Sequence, residues 1–180
     1  MRWIWIDRIT ELERGRRCVA IKNVSLAEDV LHDHFPATEA RPAIPVFPNT
    51  LVIEGMAQTA GILVGHANDF SQKVILAKIT RAAFHEAAGP GTTIRYIAMI
   101  DRLDPSGAST RGQVELIDSG TGDTRSMGEI DLLFSHLDQN LAGLQFPEHN
   151  FVFGTQFRDL LRQSGFGVEG PEARGGAGGV

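Results

Sequence analysis

The sequence predicts an α+β fold in which a curved antiparallel β-sheet wraps around one long central helix. Three observations carry this expectation. Across residues 50–67, Leu51, Val52, Ile53, Met56, Ala57, Ala60, Ile62, Leu63 and Val64 cover nearly every face of a helix, and a helix apolar all round belongs inside something. A run of β-rich segments separated by turn residues follows it. There is no βαβ alternation, so a doubly wound sheet is disfavoured and the strands are expected to curl over the helix.

Each element follows from local pattern. Residues 3–9 and 17–24 are β-rich runs on either side of a polar turn at Gly15, and they predict an opening strand pair. Residues 26–31 predict a short helix that must stop before the proline-rich stretch 36–48, because Pro36 pushes Phe35 towards extended geometry. Asn49 after Pro48 is placed to cap the long helix at 50–67, its side chain accepting a backbone N–H. Eighteen residues of helix span about 27 Å. Gly55, Gly61 and Gly65 weaken it locally and are explained if other parts of the chain approach closely there. Strands are expected at 74–84, 92–103, 112–117 and 127–134, with turns at 104–107 and 119–122. Residues 155–163 predict a short amphipathic helix with Phe157, Leu160 and Leu161 on one side and Gly165 as its stop. Seven glycines among the last sixteen residues predict a mobile tail. The expected organisation is one domain at 1–138, a C-terminal extension at 139–164 and a Gly-rich tail at 165–180.

Composition narrows the function. The 180 residues suffice for one domain with a substantial core. A net charge of −5 lacks the basic footprint of a nucleic-acid binder. The single cysteine, Cys18, excludes an intrachain disulfide and any multi-cysteine metal site, and within Arg17-Cys18-Val19-Ala20-Ile21 it reads as a small buried hydrophobe. The apolar start, residues 1–6, stops at Asp7, and the apolar run 51–64 is interrupted by Glu54 and Gln58. Neither a signal peptide nor a membrane span is expected, and a cytoplasmic protein follows.

Glu54 is the anomaly. A carboxylate in a helix with every sign of burial is costly unless it is paired or reaches an edge. Gln58, four residues on, lies on the same face and can orient it. The residues alone leave two readings open, an edge charge meeting solvent or a working carboxylate. His34, in His32-Asp33-His34-Phe35-Pro36, suits proton transfer near neutral pH. His32 and His34 could instead form a metal pair, but no third ligand has matching spacing, so no metal is expected. His66, His85, His136 and His149 read as ordinary side chains. Gly165-Phe166-Gly167-Val168-Glu169-Gly170 matches G-x-G-x-x-G in the tail without a following helix, and is set aside.

Together these segments carry a resemblance. Asp7-Arg8-Ile9, the turn at Gly15 and residues 19–24 look like the opening of bacterial β-hydroxyacyl-acyl-carrier-protein dehydratases. His34-Phe35-Pro36, Pro45-Val46-Phe47-Pro48 and Glu54-Gly55-Met56-Ala57-Gln58 resemble the signature of that family, and Ala83-Phe84 and Pro90-Gly91 fit as well. The likeness spans about residues 6–136.

The resemblance implies the hotdog fold and dehydration of a (3R)-3-hydroxyacyl thioester to the trans-2-enoyl product, with acyl carrier protein as partner and no cofactor. His34 and Glu54 would be the catalytic acid–base pair, meeting between the subunits of a homodimer or higher homo-oligomer. Phe35, Phe47, Asn49, Thr50, Gln58 and Phe84 would line the substrate site. Two departures stand out. The family usually has two residues between the prolines matching Pro36 and Pro45, and here there are eight, residues 37–44; it also usually has glycine where this chain has Asn49. A hotdog acyl-thioesterase and a non-catalytic acyl-binding protein are the alternatives. Docking of an acidic carrier protein on an acidic chain calls for a local basic patch, with Lys73, Lys78, Arg81, Arg95 and Arg102 as candidates.

Overall fold

The computed structural model describes residues 3–137 and 152–167. Strands β1 (Arg8–Glu13) and β2 (Arg17–Asn23) form a hairpin whose turn contains Gly15 at φ +66. Helix α1 (Asp29–Asp33) and the long helix α2 (Asn49–Ala67) follow. Then come β3 (Lys73–Phe84), β4 (Thr92–Asp104), β5 (Gly107–Asp118) and β6 (Thr124–Leu137), and finally helix α3 (Thr155–Gln163). The six strands form one antiparallel sheet in the order β1-β2-β4-β5-β6-β3. A curved sheet around α2 is the hotdog arrangement.

The sheet faces α2 because its side chains alternate. Along β5, Ala108, Thr110, Gly112, Val114 and Leu116 are buried while Arg111 and Gln113 are exposed, the period-two pattern of a half-buried strand. Ile94, Tyr96 and Ala98 of β4 and Ile130, Leu132 and Phe134 of β6 extend the same apolar surface. Twelve of the nineteen residues of α2 are buried, so the sheet covers far more than one stripe of it. Val52, Met56, Ile62, Leu63 and Val64 are each at most 1% exposed. At ~1.5–3 kcal/mol apiece, their burial outweighs the ~1 kcal/mol by which each of the three helical glycines falls short of alanine.

The structure shifts several expected boundaries. Residues 3–7 are not part of the first strand, which begins at Arg8. The Trp5 N–H and the Trp3 carbonyl bond instead to the Gln58 side chain. The first helix starts at Asp29, because Ser25 and Glu28 hold the preceding residues in a turn: Ser25 Oγ accepts the Ala27 N–H and Glu28 Oε1 accepts the Ser25 N–H. Asn49 is not the cap of α2 but its first residue. The extended Pro48 occupies the cap position, and its carbonyl accepts the N–H groups of Leu51 and Val52. β5 and β6 run longer than expected: Gly107 pairs with Asp104 across the first expected turn, and Ile117 pairs with Thr124 beside the second, with a register shift in each ladder. The amphipathic helix expected near the C-terminus is present as α3, with Leu160 and Leu161 buried and Gly165 at φ +88 beyond its end. Ser164 Oγ accepts the Ile9 N–H at 3.0 Å, fixing that end against β1. Residues 168–180 of the expected tail, and His149, lie outside the described residues. No helix of the described residues is long and apolar enough to cross a membrane.

Cys18 is fully buried, and burial pushes its thiol up to about 12, which makes it an inert core side chain. At the C-terminal end of α2, Arg14 donates to the His66 carbonyl and pairs with Asp69, favourable charge for a helix C-terminus. Partial burial, and secondly the nearby Arg14 charge, hold the His66 imidazole below its ordinary value. The unfolded chain therefore takes up this proton first. The resulting loss of stability begins as pH falls through about 6.5 and levels off below the lowered folded value. His66→Asn should flatten the pH dependence of unfolding in that window, measured by urea titration at a series of pH values; parallel curves for both proteins would exclude this contribution.

At Gly55, α2 packs directly on Tyr96 of β4. A Cβ there would collide with the hydroxyl end of Tyr96, which is itself fully buried and cannot swing aside. Gly55→Ala should destabilise the fold by about 1–3 kcal/mol despite alanine's better helix propensity. The check is a lower urea midpoint with an unchanged m-value.

Candidate active site

The N-terminal half of α2 brings the working groups to the surface of the core. Glu54 is half-buried and Gln58 is buried one turn further along. Gln58 is fully committed: its Nε2 donates to Glu54 Oε1 at 2.9 Å and to the Trp3 carbonyl at 3.0 Å, and its Oε1 accepts the Trp5 N–H at 2.9 Å. A buried amide that satisfies both donors and its acceptor is rigid. Glu54 is thus held by a side chain that is itself pinned to the N-terminal segment.

Glu54, Ala57, Gln58 and Gly61 line one stripe of α2 along a cavity of about 210 Å³. Val74 and Leu76 of β3 and Phe134 of β6 form the facing wall. Val152, Phe153 and Phe157 line it from the C-terminal segment. The interior is apolar apart from the carboxyl and amide at its Glu54 end, the chemistry of a site for an apolar tail with a reactive polar head.

His34 sits at the C-cap of α1 and is exposed. Its ring lies 4.3 Å from the Phe35 ring at a 58° tilt. Within one chain, among the described residues, no hydrogen bond or ion pair joins it to Glu54. His32 Nε2 lies 2.7 Å from the Leu26 carbonyl, so that nitrogen is engaged within its own turn.

The remaining expected site residues spread over several environments. Asn49 and Thr50 are exposed in the first turn of α2, where backbone N–H groups lack helical partners. Phe35 is exposed, with the Arg41 guanidinium 5.6 Å from its ring centroid. Phe47 is 1% exposed, its N–H donating to the Ala88 carbonyl and its ring edge-on to Trp5; in the single chain it packs the core. Phe84, at the end of β3 opposite Gly128, is half-buried away from the Glu54 cavity.

The lengthened stretch 37–44 closes on itself. Thr38 and Arg41 pair as an antiparallel bridge, and the Ile44 N–H donates to the Phe35 carbonyl at 3.0 Å. The chain therefore returns to where it left, and Pro45 leads on to α2. Among the proposed basic residues, Arg81 pairs with Glu129, Arg95 with Glu115 and Arg102 with Asp104. Three of the five are neutralised locally, which leaves Lys73 and Lys78.

Sequence reading did not find the role of Trp3 and Trp5, whose backbone groups rather than side chains hold Gln58. It also missed Val152 and Phe153. The amphipathic spacing around Phe157 signalled burial, but not that the covered surface would be this cavity.

The fold and the site define a hotdog-fold protein with a fixed carboxylate at the mouth of an apolar cavity. A sequence model of the FabA-like domain matches residues 3–116. The 3-hydroxyacyl-(acyl-carrier-protein) dehydratase FabZ of Thermomicrobium roseum is 32% identical over 145 residues, covering 78% of this chain and 87% of that one. The chain belongs to the FabA-like family. The FabZ of Symbiobacterium thermophilum is 40% identical over 94 residues, and the match spans 52% of this chain and 62% of the relative's length. Among solved structures, an acyl-CoA hydrolase mutant of Staphylococcus aureus in complex with coenzyme A superposes with a TM-score of 0.53 at 17% identity, covering 68% of this chain and 65% of that one. A conserved protein of Pseudomonas aeruginosa gives 0.54 at 13% identity, covering 72% and 87%. Likenesses at that identity establish the shared fold.

The Gln58 clamp generates a specific expectation. Gln58→Ala removes three hydrogen bonds and leaves the Trp3 and Trp5 peptide groups unpaired, a loss of about 1–3 kcal/mol. Hydrogen exchange at the Trp5 amide should accelerate in the variant by more than at β5 amides. Equal acceleration throughout would show a general loss of stability and no local clamp.

Proposed function

We propose that this protein is a dehydratase that converts (3R)-3-hydroxyacyl thioesters carried on acyl carrier protein to trans-2-enoyl thioesters, in fatty acid or related acyl-chain synthesis. The observation that carries the reading is the Glu54–Gln58 pair, a carboxyl fixed by a saturated amide at the polar end of an otherwise apolar cavity. The FabZ relatives supply the reaction class.

In this mechanism His34 removes the C2 proton, which the thioester carbonyl acidifies. The electron pair forms the C2=C3 double bond as the C3–O bond breaks, and Glu54 delivers a proton so that the hydroxyl leaves as water. Backbone N–H groups at the start of α2, around Asn49 and Thr50, are the donors available to the enolate-like carbonyl oxygen. Phe35, beside His34, borders the approach of the thioester, and Phe47 supports the start of α2 from beneath.

The exposed His34 and the cavity-lining Glu54 belong to one site if two copies associate so that His34 of one faces Glu54 of the other. We therefore propose a homodimer with shared sites. Of the five candidate cations, Lys73 and Lys78 are the two left to meet an acidic carrier protein.

His34→Ala and Glu54→Gln should each lower enoyl-thioester hydration by at least ~100-fold, the scale of general acid–base catalysis. Unfolding the two variants together and refolding them should restore roughly a quarter of wild-type activity, because half the dimers are then mixed and each carries one intact site. Failure to restore activity would overturn the shared site. Release of free thiol from a saturated acyl thioester, without hydration of enoyl substrates, would replace the dehydratase with a thioesterase.

A further inference from the structure

We infer that residues 152–157 form the end wall of the acyl cavity and restrict the protein to short acyl chains. The inference rests on the dehydratase reading for the identity of the thioester head, and on the cavity itself for the length limit. The stripe Glu54, Ala57, Gln58 and Gly61 runs along α2 at helical spacing, and seven residues of rise correspond to about 10 Å. An acyl tail with its head at Glu54 would lie along that stripe. One turn beyond Gly61, at Gly65, the path meets the Phe153 ring. A Cβ at Gly65 would lie 2.5 Å from Phe153 Cζ, so the glycine is what lets the ring seat against the helix.

This wall is built rather than incidental. Phe153 packs edge-on against Phe70 at 4.8 Å and against Phe157 at 6.3 Å. Behind them, Leu160 and Leu161 are buried in the core, and Ser164 holds the Ile9 N–H. The segment lies outside the stretch 3–116 matched by the FabA-like domain model. The cavity is partly open to solvent and holds about 210 Å³, below the ~300–1,000 Å³ of ordinary small-molecule sites. Each methylene that fits should strengthen binding roughly fourfold, and the gain should cease once the cavity is full.

The test measures kcat/KM of the full chain for hydration of crotonyl-, octenoyl- and hexadecenoyl-pantetheine thioesters. It also measures affinity for S-alkyl pantetheine thioethers of matching length, which no dehydratase or thioesterase turns over. The wild type should prefer the short substrate, and thioether affinity should stop rising once the cavity is filled. Phe153→Ala and Phe157→Ala should each raise the long-to-short ratio in both assays by roughly tenfold, the scale of room for two more methylenes. Gly61→Leu should move the limit the other way. Its Cβ would meet only Phe134, at 3.7 Å, and Gly61 lines the cavity, so the added side chain would fill part of it from the helix side.

Matching length profiles in wild type and all three variants, with hydration intact, would overturn the end wall and leave the dehydratase reading standing. Absence of hydration at every length would sink the dehydratase reading, and the thioether series would then decide the wall alone. A variant-dependent length limit there supports it, and a common limit overturns it.

Discussion

Helix α2 is enclosed over most of its length, and the rest of the molecule is arranged to enclose it. A helix whose residues 55–65 are buried without interruption cannot be served by a single packing surface. Only a sheet that curves can contact several faces at once, and the six-stranded antiparallel sheet does so by turning its buried residues inward from every strand. The close approach also dictates small residues: Gly55 under Tyr96 and Gly65 under Phe153 are contacts that no side chain would permit.

Enclosure makes polar groups on this helix expensive, and the two polar side chains within its continuously buried stretch are both partnered. Thr59 Oγ1 donates back to the Gly55 carbonyl, and Gln58 has its amide filled by Glu54, Trp3 and Trp5. Glu54 is the only Asp, Glu, Lys or Arg in α2. It lies where the enclosure begins, at the mouth of the cavity, so its carboxyl retains access while its partner is buried. The same constraint that builds the core thus places one oriented carboxylate against an apolar space.

Much of this was legible in the residues, and the limits of legibility have physical reasons. The all-round apolarity of residues 51–64 and the period-two strands predict the enclosure directly, because both follow from local chemistry. Glu54 and Gln58 announce themselves as polar residues at i, i+4 in an apolar helix. Asn49 has the side chain of a cap, but the extended Pro48 before it starts the helix one residue earlier. Trp3 and Trp5 act through peptide groups, which every residue carries, so no side-chain pattern could reveal them. Phe153 reaches the cavity across a long sequence separation, and such contacts leave no periodic trace. The proposed pairing of His34 with Glu54 is likewise outside the reach of one sequence, since it would depend on how two copies meet.

The stretch 37–44 is longer than the family resemblance implies for this connection, and its energetics argue that it changes access to His34 more than the position of His34. Growing a connection from two residues to eight costs only about 1 kcal/mol of loop-closure entropy. Arg41 over the Phe35 ring can return ~0.5–1 kcal/mol of that, and the Thr38–Arg41 bridge stiffens the excursion. Because the Ile44 N–H bonds the Phe35 carbonyl, the added residues leave and rejoin the path at the same point. His34 stays on the end of α1, anchored by the buried Leu31, and Phe47 remains locked to Ala88 beneath the start of α2. The two anchors bracket the loop, so its length can vary without strain on either side of the site. What varies with it is the surface beside His34, where Phe35 packs on the histidine ring and Arg41 stands over Phe35; in the proposed mechanism that is the surface a thioester crosses.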